Sequence, residues 1–402
     1  MKATPTTPAD LRMMGIVHDA LRRDLSRATA ALSAAPYPEG DRRAALGSHV
    51  VWLMGFLEAH HHGEDAGLWP LVREREPAAA ALLDDMEADH EHIAPLVAAC
   101  ADAARAYGNT DSSGARAALL SALENLTDAL LPHLDREEAE VLPIVSVSIS
   151  DAEWKAIDEE YYVAPKSMAE LGFEGHWLLD GLDPGRYQVV VHQVPAIPRF
   201  VLVHGFARRY RRYATRCWGP ADPQATPRPY GSAARGPRKV GLSGHVEVVV
   251  PAPVESVWAV IADVTRTGEW SRECRVVEWV DGAGRAIPGA RFRGANKAGA
   301  WSWSRYNEFV EVDEPRTLMW RTVPERLFPD STEWRFSFED VEGGTRITQE
   351  FHAVRAPAVL IRLYAMFVPS HVDRASELHG DLVRIGAVAA RDARRQAQAS
   401  RP

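Results

Sequence analysis

Residues 60–70 read His60-His61-His62-Gly63-Glu64-Asp65-Ala66-Gly67-Leu68-Trp69-Pro70. They come late in a helical pattern whose apolar stripe contains Leu53, Leu57, His60, Glu64 and Leu68. His60 and Glu64 therefore lie on the core-facing side of the helix, one turn apart. Burying an imidazole and a carboxylate among leucines is costly unless a partner satisfies both groups. A metal ion is such a partner.

The same pattern returns at residues 133–143, which read His133-Leu134-Asp135-Arg136-Glu137-Glu138-Ala139-Glu140-Val141-Leu142-Pro143. Aligning the two copies pairs His133 with His60 and Glu137 with Glu64. The second copy also continues an apolar stripe, which contains Leu126, Leu130, His133, Glu137 and Val141. Two histidine–glutamate pairs of the same spacing, on two helices, indicate a site with near two-fold symmetry.

Two further helical patterns each place one histidine on an apolar stripe. His18 lies among Leu11, Met14, Leu21 and Leu25, and His90 lies among Leu83, Met86, Ile93 and Val97. A single histidine on such a stripe is more often a core residue than a ligand, so the repeat carries the metal interpretation. A four-helix bundle turns all six candidates inward, namely His18, His60, Glu64, His90, His133 and Glu137. Mixed imidazole and carboxylate ligands suit iron, manganese or zinc.

Other histidines do not share these positions. His61, His62 and His92 lie off the stripes, and we interpret them as solvated or as neighbours of the ligands. His49 is on the His60 side but about 16 Å away along the helix axis. That distance excludes His49 from the same metal site.

The stretches HHGED-LWP and HLDREE-VLP resemble the hemerythrin-like (HHE cation-binding) domains over about residues 8–145. The resemblance implies a four-helix bundle with an oxo- or hydroxo-bridged di-iron centre, held by the six candidate residues. Oxygen-carrying members have a second histidine one turn after the third-helix ligand, where this chain has Ala94. The resemblance therefore implies sensing or scavenging of oxygen, peroxide, nitric oxide or iron rather than oxygen transport.

Length and composition set broad bounds on the protein. A chain of 402 residues predicts two or three domains. A net charge of −9, from 46 basic and 55 acidic residues, argues against general nucleic-acid binding. Three widely separated cysteines predict a reducing cytoplasm rather than a disulfide framework. We also expect neither a secretory signal nor a membrane span, since the chain has no charged-then-apolar start and no long apolar run.

The pattern of helix starts and breaks predicts the organisation of the first half. Bundle helices are expected from Thr7 to about Ser33, Asp41 to about Glu76, Pro77 to about Tyr107 and Asp111 to about Val145. The bundle domain is placed at 8–146 and a helical extension at 147–218. That extension ends in a basic stretch, which is either a membrane-surface helix or, as we favour, a helix packed on the bundle with a solvated arginine face. Residues 219–241 are rich in proline and glycine and predict a linker.

Alternating residues after the linker indicate strands, and a long helical pattern follows them. The order is that of an α+β domain, and residues 243–390 resemble the START-like (SRPBCC) superfamily of polyketide cyclases and lipid-transport proteins. The resemblance implies a helix-grip fold at 242–391 with a cavity for a small hydrophobic molecule, followed by a disordered tail at 392–402. Either the cavity lining or plain sheet core would explain the aromatic residues Trp301, Trp303, Trp320, Trp334, Phe336 and Phe338. His352, His371 and His379 are scattered, and we assign none a catalytic role.

Three functions fit these observations. The sequence modestly favours a di-iron protein that senses or scavenges oxygen, peroxide or nitric oxide, with a hydrophobic ligand in the C-terminal domain. An enzyme is the second hypothesis, either a di-iron oxidase or peroxidase or a cyclase, because six ligands leave open coordination positions on two metals. Iron storage or iron sensing is the third.

Overall fold

The computed structural model describes residues 7–194, 196–219, 242–298, 301–367 and 374–399. Within them, packing separates two compact units. One unit contains residues 10–142 and 153–219, and the other contains residues 7–9, 143–152 and 242–399. Except for Gly219, the predicted linker lies outside the described residues.

The N-terminal half is helical. Its helices are α1 (Arg12–Ser33), α2 (Gly40–Gly63), α3 (Trp69–Arg75), α4 (Ala80–Asn109), α5 (Ser113–Arg136), α6 (Leu142–Ser148), α7 (Asp151–Ile157), α8 (Met168–Leu179), α9 (Pro184–His192), α10 (Ala196–Gly205) and α11 (Ala207–Trp218). Helix α2 packs on α1 and α4, and α5 packs on α4 and α1, which closes a four-helix bundle. The predicted bundle is confirmed, and its apolar stripes are buried.

Two differences from the predicted helices concern their starts and their regularity. Helix α1 begins at Arg12 rather than at Thr7, and the Asp10 carboxylate accepts from the Arg12 backbone N–H at 3.3 Å. Helices α2 and α5 each continue into a π-helical segment, Glu64–Leu68 and Glu137–Val141. Such segments often occur at functional sites, because the wider turn changes where the side chains point.

Helices α8, α9 and α11 pack against the bundle. The Asp183 carboxylate caps α9, accepting from the backbone N–H groups of Gly185 and Arg186 at 2.8 and 3.1 Å. Helix α11 contacts α2. It buries Tyr210, Ala214, Cys217 and Trp218, whereas its arginines at 208, 209, 211, 212 and 216 are exposed. This arrangement agrees with the favoured interpretation of the basic stretch. Among the described residues, none of the helices combines the length and the apolarity needed to cross a membrane.

The C-terminal unit is built on an antiparallel sheet, which has seven strands within the described residues, in the order β1-β7-β6-β5-β4-β3-β2. The strands are β1 (Ser243–Val250), β2 (Cys274–Val280), β3 (Arg291–Ala298), β4 (Trp301–Asp313), β5 (Thr317–Thr322), β6 (Ser331–Val341) and β7 (Gly344–Arg355). The helices of this unit are α12 (Val254–Ala262), a 3₁₀ turn (Val264–Glu269), α13 (Ala358–Phe367) and α14 (Arg374–Ala399).

Helix α14 packs on one face of this sheet. Its residues Leu382 and Ile385 are fully buried with Phe336 of β6, which pairs with Leu318 of β5. The α+β helix-grip prediction is confirmed. Helix α14 continues to Ala399, however, where we expected disorder from residue 392. Asp392 pairs with Arg266 at 2.7 Å, which holds this end of the helix. The predicted bend at Pro369 lies outside the described residues.

Candidate metal centre

Two pairs of histidines face each other inside the bundle. The Nε2 atoms of His18 and His60 are 3.2 Å apart, and so are those of His90 and His133. His18 comes from α1, His60 from α2, His90 from α4 and His133 from α5. Two ligand atoms on one metal, each about 2.1 Å from it, lie roughly 3.0–3.4 Å apart. The spacing within each pair therefore matches that of ligands to a shared metal ion.

Carboxylates on the outer side of the rings fix which ring nitrogens face inward. The Nδ1 of His18 lies 2.8 Å from Glu138 Oε1, and the Nδ1 of His90 lies 2.7 Å from Asp65 Oδ1. These contacts assign the protons to Nδ1, so each Nε2 carries a lone pair. The Nδ1 of His133 likewise lies 3.3 Å from Asp89 Oδ2, so the facing Nε2 atoms of His90 and His133 both carry lone pairs and cannot form a hydrogen bond with each other. A metal ion between them would bind both.

Glu64 lies between the two histidine pairs. Its Oε1 is 3.2 Å from His60 Nε2, and its Oε2 is 3.6 Å from His90 Nε2. Glu137 also lies at the centre, with Oε2 3.4 Å from His18 Nε2. One carboxylate thus presents an oxygen to each pair. A carboxylate in this position could offer one oxygen to a metal ion held by each pair.

The central polar atoms have no conventional partners. Within the described residues, both carboxylate oxygens of Glu64 and of Glu137 and the Nε2 of His61 are buried without a hydrogen-bond partner. Leaving such groups unsatisfied costs about 1–3 kcal/mol each, and more when they are charged. Metal ions would satisfy these atoms, so the residues present fit a metal centre.

Burial and neighbouring groups shift the pKa values of Glu64, His60 and His133 in the metal-free protein. Burial and the nearby Glu137 raise the pKa of the Glu64 carboxyl well above its usual range. Burial and neighbouring imidazoles lower the pKa of His60 well below its usual value, and that of His133 to about 4. His60 and His133 are therefore neutral near pH 7, which is the form that binds metals.

His61 takes the second of the two positions that the sequence interpretation allowed, that of a neighbour of the candidate ligands. Its side chain is buried rather than solvated, at 7% exposure, and its ring stacks on that of His90 with centroids 4.0 Å apart. His61, His90 and His133 each offer a ligand atom within 4.8 Å of one another. His60 and His61 are adjacent and so point about 100° apart around α2. One faces His18 of α1 and the other faces His90 of α4.

The remaining candidates fall where the sequence placed them. The atoms offered by His18, His60, Glu64 and Glu137 also lie within 4.8 Å of one another, so the structure brings all six predicted residues together in two adjoining groups. His62 and His92 are exposed, as is Ala94. His49 is remote from this site, with its Nε2 2.8 Å from Asp24 Oδ2 and its Nδ1 2.9 Å from the Tyr213 hydroxyl.

Tyr162 is a neighbour of the centre that the sequence interpretation missed. Its hydroxyl donates to the backbone carbonyl of His60 at 3.2 Å. A Cβ on Gly63 would come within 2.5 Å of the Tyr162 ring, and one on Gly67 within 2.6 Å of the Tyr161 ring. The two glycines inside the first motif were the available signal, since glycine within a helix permits close approach of a neighbour.

A cavity of about 210 Å³ lies in the C-terminal unit. Of the predicted aromatic residues, Trp303, Trp320, Trp334 and Phe336 line it. Trp301 does not, because it begins β4 at the end of the β3–β4 ladder and is 51% exposed. Phe338 does not either, because it is buried against Trp258 of α12, with ring centroids 5.7 Å apart.

The wall of this cavity is more polar than expected. Arg305 lines it and is paired with Asp330 at 2.7 Å. Gln349 also lines it, and its Oε1 is buried with no hydrogen-bond partner in the described part of the chain. His352 and His379 are exposed, and His371 lies outside the described residues. The cavity thus combines an aromatic side with polar groups, which suits a hydrophobic molecule that carries a polar substituent.

Comparisons with known proteins match the helical bundle and the C-terminal sheet domain to two different families. Residues 11–145 match the model of the hemerythrin HHE cation binding domain, and residues 242–377 match that of polyketide cyclase / dehydrase and lipid transport. No curated protein matches the chain.

Solved structures also resemble the chain. A protein from Nitrosomonas europaea is 14% identical, with 38% of this chain and 96% of that one covered and a TM-score of 0.28. A polyketide cyclase-like protein from Corynebacterium glutamicum is 22% identical, with coverage of 40% and 94% and a TM-score of 0.25. The di-domain ARO/CYC StfQ of the steffimycin biosynthetic pathway is 12% identical, with coverage of 47% and 61% and a TM-score of 0.31. By the two family models, the chain joins a hemerythrin-like HHE cation-binding domain to a domain of the polyketide cyclase and lipid-transport family.

Proposed function

We propose that the bundle holds a di-iron centre and uses it to sense or scavenge oxygen, peroxide or nitric oxide. The observation that carries this proposal is the position of Glu64, whose two carboxylate oxygens face histidines of different pairs. His18, His60 and Glu137 would hold one metal, and His61, His90 and His133 the other, with Glu64 able to reach both. Manganese and zinc also accept these ligands, so the identity of the metal is part of the proposal.

The chain's own residues supply orientation and exclusion of water. Glu138 and Asp65 hold the rings of His18 and His90 by their Nδ1 atoms, so their Nε2 atoms point to the centre. Fully buried Leu57 and Leu68 flank His60 and Glu64 on the same stripe. When bound, two iron ions would supply the one-electron chemistry by which a diatomic gas or peroxide is detected or consumed.

The C-terminal domain is the second part of the proposal. We propose that its cavity binds a small hydrophobic molecule with a polar group, because aromatic side chains and buried polar side chains share its wall. Sensing or scavenging in one domain and ligand binding in the other are compatible functions for two modules in one chain.

Metal analysis of the purified full chain, with its optical spectrum, tests the first part. We expect about two metal ions per chain, with iron predominant. Less than one ion per chain after reconstitution with ferrous iron under anaerobic conditions would contradict the proposal. Oxygen uptake by the reduced protein then separates the functions. Uptake that stops at a fixed ratio to protein supports a sensor or scavenger, whereas sustained uptake with excess reductant supports an oxidase.

An enzyme is the second candidate, and one observation favours it. His60 contributes to the wall of a separate, mainly apolar cavity in the bundle unit. A bound molecule there would lie beside a proposed metal ligand.

A further inference from the structure

A cavity of about 390 Å³ lies between the bundle and the helices that follow it. Met13 and Val17 of α1 and Phe56 of α2 form one side, and Leu171, Val190 and Leu202 of α8, α9 and α10 form the other. Ligand sites in proteins typically have volumes of about 300–1,000 Å³ and mainly hydrophobic walls. This cavity meets both criteria.

The cationic side chains of Lys166 and Arg199 in the wall already have protein partners. The Lys166 ammonium lies 2.8 and 2.7 Å from the two carboxylate oxygens of Glu174. Arg199 donates to the Val191 carbonyl at 3.4 Å. A carboxylate or phosphate ligand would have to displace these contacts and lose its own hydration. An uncharged ligand avoids both costs.

Gly175 of α8 is a position in the cavity wall with empty space beside it. It lines the cavity, and a Cβ added there would meet no heavy atom within 4 Å. A larger side chain at this position therefore enters free space. Gly55 of α2 has the same property but is exposed and is not among the lining residues. The two glycines form a matched pair for substitution.

We propose that this cavity binds an uncharged, mainly hydrocarbon molecule. Such a molecule would lie beside His60 and Tyr162, which both line the cavity. Its position beside a metal rests on the proposed function, but the binding itself does not. The bundle unit would then have its own apolar ligand, distinct from that of the C-terminal domain.

The test uses the full chain and Nile red, a neutral apolar dye, with and without prior removal of metal by a chelator. We expect Gly175→Phe to lose one equivalent of bound dye, or at least tenfold in the affinity of one class of site. Gly55→Phe should bind dye as the wild type does. Gly175→Ala and Gly175→Leu should give a graded loss. Both positions are in helices, where replacing glycine favours the helix by up to about 1 kcal/mol, and melting curves followed by circular dichroism check folding.

Each outcome decides the proposal. Equal dye binding by folded Gly175→Phe, Gly55→Phe and wild type would overturn it, as would tighter competition at this site by an anionic fatty acid than by the corresponding alcohol. Metal content is measured in parallel. Dye loss in a chain that binds no metal leaves the cavity proposal intact and contradicts the proposed function alone.

Discussion

The imidazole of His61 stacks on that of His90, with ring centroids 4.0 Å apart and ring planes inclined by 9°. This contact brings a third histidine to the pair formed by His90 and His133. It also bears on the expectation against oxygen transport, which rested on Ala94, a residue that is exposed although it follows His90 by one helical turn. A third imidazole in this group comes from α2 rather than from α4.

The first prediction follows from that contact. Substituting His61 by alanine should remove one metal-binding imidazole and reduce the metal content from about two ions per chain toward one. His62→Ala is the matched control, because His62 is the next residue and is exposed. Metal analysis after equilibration at limiting free metal measures the difference. Equal metal content in the two variants would show that His61 is not a ligand.

The second prediction concerns the carboxylates that hold the histidines. Asp65→Asn and Glu138→Gln should each weaken metal binding by about 10–100-fold, because the ring partner then no longer fixes the tautomer and orientation. Glu140→Gln is the control, since Glu140 is exposed in the same π-helical segment as Glu138. Competition with a chelator of known affinity gives the dissociation constants. Unchanged affinity in both variants would contradict the assigned role.

The third prediction uses the buried Asp24, which accepts hydrogen bonds from His49 and from the Trp177 indole, both at 2.8 Å. Burial alone would raise the pKa of its carboxyl, but the hydrogen bond from His49 and the charge of Arg23 outweigh burial and hold the pKa well below its usual range. In the unfolded chain the pKa is about 3.9. The carboxylate therefore stabilises the fold above about pH 4, and this contribution is lost as the pH falls toward the folded-state value.

Asp24→Asn should accordingly lower the free energy of unfolding at pH 7 by about 3–5 kcal/mol, since it removes one partner of a buried charge pair. The difference from wild type should shrink below about pH 4. Urea denaturation of the metal-free protein at pH 7 and pH 3 measures it. Asp102→Asn, at an exposed pair with Arg105, should change little at either pH. A difference of the same size at both pH values would contradict the assignment.

The fourth prediction distinguishes the aromatic residues of the C-terminal unit that line the cavity from those that do not. In the Gly175→Phe background, Trp334→Ala should weaken the remaining Nile red binding by about tenfold, roughly 1.4 kcal/mol, because Trp334 lines the cavity. Trp301→Ala should leave it unchanged, because Trp301 is about half exposed and is not among the lining residues. Fluorescence titration gives both values. Equal effects of the two substitutions would show that the dye binds elsewhere.

The six candidate ligands that the structure brings together could be predicted from the sequence for a simple reason. Each of them continues an apolar stripe of its own helix, and a polar residue on such a stripe requires a buried partner. The repeat of histidine and glutamate at the same spacing then linked two helices. The alternation of β6, with Trp334 and Phe336 on one side and Arg335 on the other, likewise predicted the strand and its buried face.

The sequence by itself determined which residues face inward on the helices and strands, and hence the bundle, the sheet and the six candidate metal ligands. Only the tertiary structure decided that His61 is buried beside His90, that Tyr162 donates a hydrogen bond to the His60 carbonyl, and which aromatic residues border a cavity. The spacing of apolar residues shows only which side of a helix or strand faces the core. Helix α2, however, packs between α1 and α4, so its consecutive residues His60 and His61 can each reach a different neighbour. That choice depends on how separate helices are arranged in space, which is a property of the packed fold and not of any single segment.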